Sequence, residues 1–365
     1  MIHRAPKLCA LWLLLLLLCG TAAAQLSPQV LRQIDDIVNK AMSAQKIPGL
    51  SLAIGVQGHV VLKKAYGSAD LENGIPLRPD TLMRTGSLCK PLTAVGVLEL
   101  VEQGKVKLDA PVQEYCSHFP KKEWTVTTRQ LLGHIGGVRA YEGKESESTM
   151  HYYSLIDGMI MFKNDPLAFE PGTKYLYTTH GYTVLGCVIE GVTGLPYPEY
   201  MRRHILKPAG MAHTFVDDVY TIIPGRSHGY WKIDSKVVND GPMDSSYKIP
   251  GGGYLSTPED MVRFVMKLLD QELLKPETMR LMWTSLKTSD GKETRYGLGW
   301  GIGDLDGLPA YGHTGSQQGT STAMLVIPAR KIVSVVMINM RGINAAEINR
   351  AIASSVLKSY ELKAR

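Results

Sequence analysis

Strand signals lie at the two ends of this 365-residue chain and helix signals fill its middle, so a sheet forms only if the two ends meet. Residues 50–56 and 60–66 read as strands around Gln57, Gly58 and His59, a hairpin signal. Tyr311, residues 322–327 and residues 332–339 read as three more strands joined by short turns. Helix patterns occupy residues 28–44, 92–101, 181–192, 258–269 and 345–360. The expectation is an α/β fold: an antiparallel sheet built from both chain ends, flanked by helices, with a mostly helical inserted subdomain. Its α/β part would span about 25–80 and 285–365, and its helical part about 81–284, in a single domain.

The first 24 residues read as a secretory signal. Arg4 and Lys7 are followed by an apolar stretch from position 11 to 18, and Ala22, Ala23 and Ala24 offer a cleavage site before Gln25. Cys19 after a leucine run suggests a lipoprotein anchor as an alternative, but Leu18 is larger than a lipidation site favours. No later stretch reaches the ~18 apolar residues of a membrane span. An exported protein, periplasmic or secreted, is expected. Its formal charge of +6 falls to +4 without Arg4 and Lys7, and that charge is dispersed, which argues against a nucleic-acid partner. Cys89, Cys116 and Cys187 survive cleavage. Three separated cysteines are not a disulfide framework, and whether Cys116 and Cys187 pair stays open.

The chemistry concentrates in three ordered segments: Ser87-Leu88-Cys89-Lys90, Tyr177-Thr178-Thr179 and His313-Thr314-Gly315-Ser316. A serine at its own pKa is a poor nucleophile and needs a neighbouring base. Positions i and i+3 share a helical face, so Lys90 can bring its amine to the Ser87 hydroxyl. Free N–H groups at the helix start favour developing negative charge. Spacing alone is weak, because Ser-x-x-Lys recurs at Ser43/Lys46, Ser245/Lys248, Ser289/Lys292 and Ser355/Lys358. Only Ser87 follows a glycine and opens an apolar helix; Ser245 is the competitor worth keeping.

These segments resemble the three motifs of penicillin-recognising serine enzymes. The groups most similar are class C β-lactamases, serine D-Ala-D-Ala carboxypeptidases, family VIII esterases and the β-lactamase-like serine proteases of mitochondria. Flanking text agrees at Gln130-Leu131-Leu132-Gly133-His134, Pro171-Gly172-Thr173-Lys174-Tyr175, Gly251-Gly252-Gly253-Tyr254-Leu255-Ser256-Thr257 and Tyr296-Gly297-Leu298-Gly299-Trp300. The resemblance implies a nucleophile at Ser87, its base partner at Lys90, and Tyr177 shuttling a proton to the leaving group. It also implies an oxyanion hole from the N–H groups of Ser87 and Ser316, with Thr314 and Gly315 lining the strand edge where the acyl part lies. No metal and no cofactor is implied; the partner is a small-molecule or peptide substrate.

Two departures matter. Thr179 stands where the family pattern usually has asparagine, and one hydroxyl on a shorter arm replaces a carbonyl and an amide. This makes β-lactamase activity less expected and tilts the reading toward a peptide or amide substrate. His313 stands where many members have lysine, and would hold a substrate carboxylate only while protonated. An exported serine hydrolase acylated at Ser87 is the leading expectation. The alternatives are a family VIII-type carboxylesterase, a weak β-lactamase, and a non-catalytic binding or assembly protein on the same fold. Cys89 is expected to be packed rather than nucleophilic, His134 structural, and His180 a candidate for the cleft wall. The glycine-rich run from position 297 to 303 precedes no helix and is not read as a phosphate loop. Specificity would belong to the irregular segments 138–170 and 215–250.

Overall fold

The computed structural model describes residues 25–363; the signal-peptide and lipoprotein readings fall outside these residues. A seven-stranded antiparallel sheet organises the chain. Its strands are β1 (Gly49–Val56), β2 (His59–Asp70), β3 (Ile75–Pro76), β4 (Gly301–Leu305), β5 (Leu308–Gln317), β6 (Thr320–Ile327) and β7 (Ile332–Ile338). In space they run β3-β2-β1-β7-β6-β5-β4, so the junction between the two chain ends is the β1–β7 pair. That pair sits mid-sheet in continuous register from Leu50↔Ile338 to Val56↔Ile332.

Period-two alternation decides what each face carries. Leu50, Leu52 and Ile54 of β1, with Ile332, Val336 and Ile338 of β7, join one core. That core also takes Val30, Ile34 and Val38 of helix α1 (Pro28–Gln45) and Ile352 and Val356 of helix α5 (Ala345–Lys363). Ala53, Val333, Val335 and Met337 point the other way, into a larger core that contains the helical part. Helix α2 (Cys89–Glu102) lies inside this second core, with eleven buried residues and apolar side chains all round. That is the pattern of a central helix without a solvent face. Helix α3 (His180–Thr193) packs against α2, and α4 (Pro258–Leu269) covers β1 and β7. Cys187 of α3 and Cys116 form a disulfide, which answers the pairing question the sequence left open.

Two strands of this sheet escaped the sequence reading, as did the short strands of two smaller sheets. Ile75–Pro76 is only two residues long, and β4 falls in the glycine-alternating run, where missing side chains erase the period-two signal. Helix α2 begins at Cys89, three residues before the apolar periodicity, because Pro91 lies in its first turn, where N–H groups have no intrahelical partner.

Candidate active site

The nucleophile candidate is set by tying the segment before it to the sheet. Thr322 of β6 donates its hydroxyl to the Thr85 carbonyl at 2.9 Å, and Thr320 donates to the Arg84 carbonyl at 2.9 Å. The chain then turns at Gly86 with φ of 53°, a left-handed conformation that suits glycine, and enters a 3₁₀ turn (Gly86–Leu88) that leads into α2. A Cβ on Gly86 would lie 3.0 Å from the Ser316 nitrogen, and one on Gly315 would lie 2.9 Å from the Ser87 nitrogen. The absence of both side chains is what lets these two N–H groups share a corner.

Lys90 faces that corner from the next helical turn. Its side chain is completely buried, and Nζ lies 3.0 Å from Ser87 Oγ, 3.1 Å from Thr179 Oγ1 and 2.9 Å from the Gly251 carbonyl. Burial, with Lys248 acting in the same direction, pulls its pKa down to about 7. A neutral amine has two protons and one lone pair. With the protons on the Gly251 carbonyl and Thr179 Oγ1, the lone pair is left for the Ser87 hydroxyl. Thr179 therefore supplies an oxygen to Lys90 despite its short arm.

Tyr177 flanks the same point, with Lys90 Nζ 4.8 Å from its ring centre. Tyr177 is partly exposed and borders the cleft, while burial holds its hydroxyl well above the usual tyrosine range, opposed by a hydrogen bond with Ser87. His134 fixes this segment. Its carbonyl accepts from the Leu176 N–H at 2.9 Å, its Nδ1 accepts from the Thr178 N–H at 3.2 Å, and its ring lies 4.3 Å from that of Tyr177. Accepting at Nδ1 makes His134 the neutral Nε2–H tautomer, in keeping with the downward shift that burial imposes.

The cleft has two lobes that meet at Ser87 and Ser316. Lobe one, about 590 Å³, is bordered by Tyr177, Tyr296, His313, Thr314 and Arg295. Lobe two, about 400 Å³, is bordered by Tyr141, Thr179, Trp231, Lys248, Gln317 and Arg341. The cleft reaches the sheet because β4 pairs with β5 only from Leu308 to Gly312, which leaves positions 313–317 without a strand partner on that side among the described residues.

The matched family model, described as beta-lactamase, spans residues 34–357, both halves of the sheet and all three segments. The chain belongs to the beta-lactamase family. Among its relatives, the human serine beta-lactamase-like protein LACTB, mitochondrial, is 30% identical over 85% of this chain and 73% of its own. The putative penicillin-binding protein PbpX of Bacillus subtilis (strain 168) is 31% identical over 67% of this chain and 59% of its own. Among solved structures, the octameric penicillin-binding protein homologue from Pyrococcus abyssi superposes with a TM-score of 0.79 at 26% identity, covering 90% of this chain and 77% of its own. The D-amino acid amidase from Ochrobactrum anthropi shares the fold, with a TM-score of 0.77 at 22% identity over 91% of this chain and 99% of its own.

Within this family frame, Ser87, Lys90, Tyr177, Thr179 and the Ser316 nitrogen converge, and Thr314 stands on the exposed strand edge. His313 departs from expectation. It is buried, its Nδ1–H donates to the Thr314 carbonyl at 2.6 Å and its Nε2 accepts from the Tyr296 hydroxyl at 2.8 Å. Burial and the Lys90 charge push its pKa down to about 3, so it offers a substrate carboxylate neither charge nor a free donor. His180 also moves out of the candidate set. It is buried, stacked on Phe162 at 4.2 Å and placed 3.2 Å from Glu145, which Arg139 also grips. Cys89 is packed, its Sγ 3.0 Å from Thr85 Oγ1, and burial raises its thiol pKa. In the rival pair Ser245/Lys248, the serine is buried without a hydrogen-bond partner and the lysine reaches only the Met243 sulfur. The sequence reading missed Tyr296, Gln317 and Lys248 as cleft residues. Tyr296 opens a quoted flanking motif, Lys248 belongs to the rival pair and Gln317 directly follows Ser316, and those placements were the available signal.

Proposed function

We propose that the protein is a serine hydrolase that cleaves an amide or peptide bond through an acyl-enzyme on Ser87. Ser87 Oγ attacks the carbonyl carbon and its proton passes to the neutral Lys90 amine. The N–H groups of Ser87 and Ser316 receive the oxyanion, an interaction whose loss costs about 2.7–4 kcal/mol per donor in comparable sites. Tyr177 relays the proton to the departing amine nitrogen as the C–N bond breaks, and water then releases the acid by the reverse path. The observation that carries this reading is the wholly buried Lys90 amine, 3.0 Å from Ser87 Oγ with its pKa drawn down to about 7. The fold-level likeness to an amidase adds support for an amide substrate.

Tyr177 and Thr314 border lobe one but not lobe two. The leaving group therefore occupies lobe one and the acyl group occupies lobe two, along the Ser316–Gln317 end of the strand edge. This revises the expectation that Thr314 and Gly315 receive the acyl part. Export fits the Cys116–Cys187 disulfide, since such bonds persist in oxidising compartments.

The test is the intact mass of mature protein after a fluorophosphonate and, separately, a penicillin, with Ser87→Ala as control. An adduct from either reagent that disappears in Ser87→Ala supports the reading; full labelling of the variant, or none of the wild type, overturns it. Turnover of short-chain nitrophenyl esters without any amide would move the assignment to a carboxylesterase.

A further inference from the structure

Lobe two contains a lysine amine with no oxygen within hydrogen-bond reach. Lys248 ends a 3₁₀ turn (Ser246–Lys248) just ahead of the short helix Ile249–Gly252, whose Gly251 carbonyl holds Lys90. It borders the lobe yet is only 3% exposed. Its Nζ donates to the Met243 thioether at 3.4 Å and otherwise faces the rings of Tyr247 at 5.2 Å and Tyr141 at 5.9 Å. A thioether is a weak acceptor and ring faces compensate an ammonium only in part. Burial and then the Arg84 charge pull this amine down to about 7, with the Asp217 carboxylate opposing them from beyond hydrogen-bond reach.

The other cation of the lobe is already matched. Arg341 lies 3.0 Å from Asp240 Oδ2 and 3.1 Å from Glu147 Oε1, and stacks on Trp231 at 3.6 Å. A second unused donor stands across the lobe: Gln317 Nε2, one residue past Ser316 on the free strand edge, is buried with no acceptor. Two desolvated donors, one with only a thioether acceptor and one with none, bordering one cleft beside the reacting serine, are costly unless a ligand supplies oxygens.

We propose that Lys248 and Gln317 form an anion-recognition pair on the acyl side of Ser87, selecting substrates whose acyl group bears a carboxylate a few bonds from the scissile carbonyl. A carboxylate brings two oxygens and a negative charge, which answers both donors; a neutral acyl group answers Gln317 alone and leaves the ammonium uncompensated. The proposal rests on the acyl-enzyme reading for its orientation, because lobe two is the acyl side only if the leaving group departs past Tyr177.

The test compares glutaryl 4-nitroanilide with its methyl ester, which has the same chain and no charge. Both are titrated calorimetrically into Ser87→Ala protein, which needs no turnover, and both are assayed with the active enzyme. The acid is expected to bind at least tenfold tighter than the ester, and adding Lys248→Met should bring that ratio to within about twofold. Gln317→Met should reduce it about threefold, and carries the test if Lys248→Met shows no cooperative melting transition. Equal binding of acid and ester, or a preference untouched by both substitutions, overturns the anion pair. Fluorophosphonate labelling run in parallel separates the two ideas. Labelling of Ser87 without acid preference sinks only the anion pair, and acid-selective binding without labelling sinks only the hydrolase reading.

Discussion

At the scale of single residues, the proposed acyl-enzyme chemistry rests on Lys90. Its amine must be neutral to accept the Ser87 proton, and its pKa lies near 7, so kcat/KM should rise with pH through about 7 and level off above it. A profile flat from pH 5.5 to 8.5 would remove Lys90 as the base. Lys90→Met should lower kcat by roughly 10²–10⁴ while leaving the melting temperature at or above that of wild type, because the cost of burying an amine disappears. His313 should contribute no step to that profile. With its pKa near 3 it stays neutral over the whole range, so its imidazole resonances should not titrate between pH 5 and 8. A His313 titration midpoint near 6.5 would restore its expected carboxylate role.

Among the elements, the decisive one is β5, which pairs with β4 from Leu308 to Gly312 and with β6 from Tyr311 to Gln317, so that beyond Gly312 it is paired on one side only. Substrate backbone can extend that edge only if Gly315 stays bare. A Cβ there would meet Thr322 Oγ1 at 2.3 Å and the Thr85 carbonyl at 2.4 Å. Gly315→Ala is expected to destabilise the fold by about 1–3 kcal/mol through overpacking and to abolish Ser87 labelling, since the strain falls on the segment that aims Ser87. Denaturant melts and the labelling assay check both halves. Elsewhere the elements obey local rules. Thr257 caps α4 by accepting from the Asp260 N–H at 3.2 Å, and Thr257→Ala should cost about 1 kcal/mol with activity retained. That cap was legible in Ser256-Thr257-Pro258-Glu259-Asp260. β4 was not, because glycine at alternate positions removes the side chains that mark a strand.

On the scale of the whole molecule, the Cys116–Cys187 disulfide ties α3, which follows the Tyr177 segment, to a loop 71 residues earlier. Its reduction, or a paired Cys116→Ser/Cys187→Ser change, should lower stability by about 2–4 kcal/mol, read from denaturant midpoints. The buried lysines add a pH signature. Lys90 and Lys248 titrate near 7 when folded and near 10.5 when unfolded, so between those limits the unfolded chain binds more protons and stability from these groups rises with pH. Below about pH 7 both states are charged and the full burial cost is present. Lys248→Met should flatten this rise, and an unchanged slope between pH 7 and 9 would contradict it.

The sequence by itself determined five strands of the main sheet, its long helices and the meeting of Ser87 with Lys90. Period-two runs at both ends dictated one antiparallel sheet, and a three-residue spacing on an apolar helix dictated that Lys90 meets Ser87, because both follow from local backbone geometry. It also marked the irregular segments 138–170 and 215–250 as the place for specificity, and lobe two does take Tyr141, Trp231 and Lys248 from them. Only the tertiary structure decided charge states and partners. Whether His313 is an imidazolium, whether Cys116 meets Cys187 and whether Lys248 lacks an oxygen acceptor all depend on how distant parts of the chain pack around them, Lys90 beside His313 and Tyr141 beside Lys248 among them. Burial and hydrogen bonding act through space, so no local pattern records them.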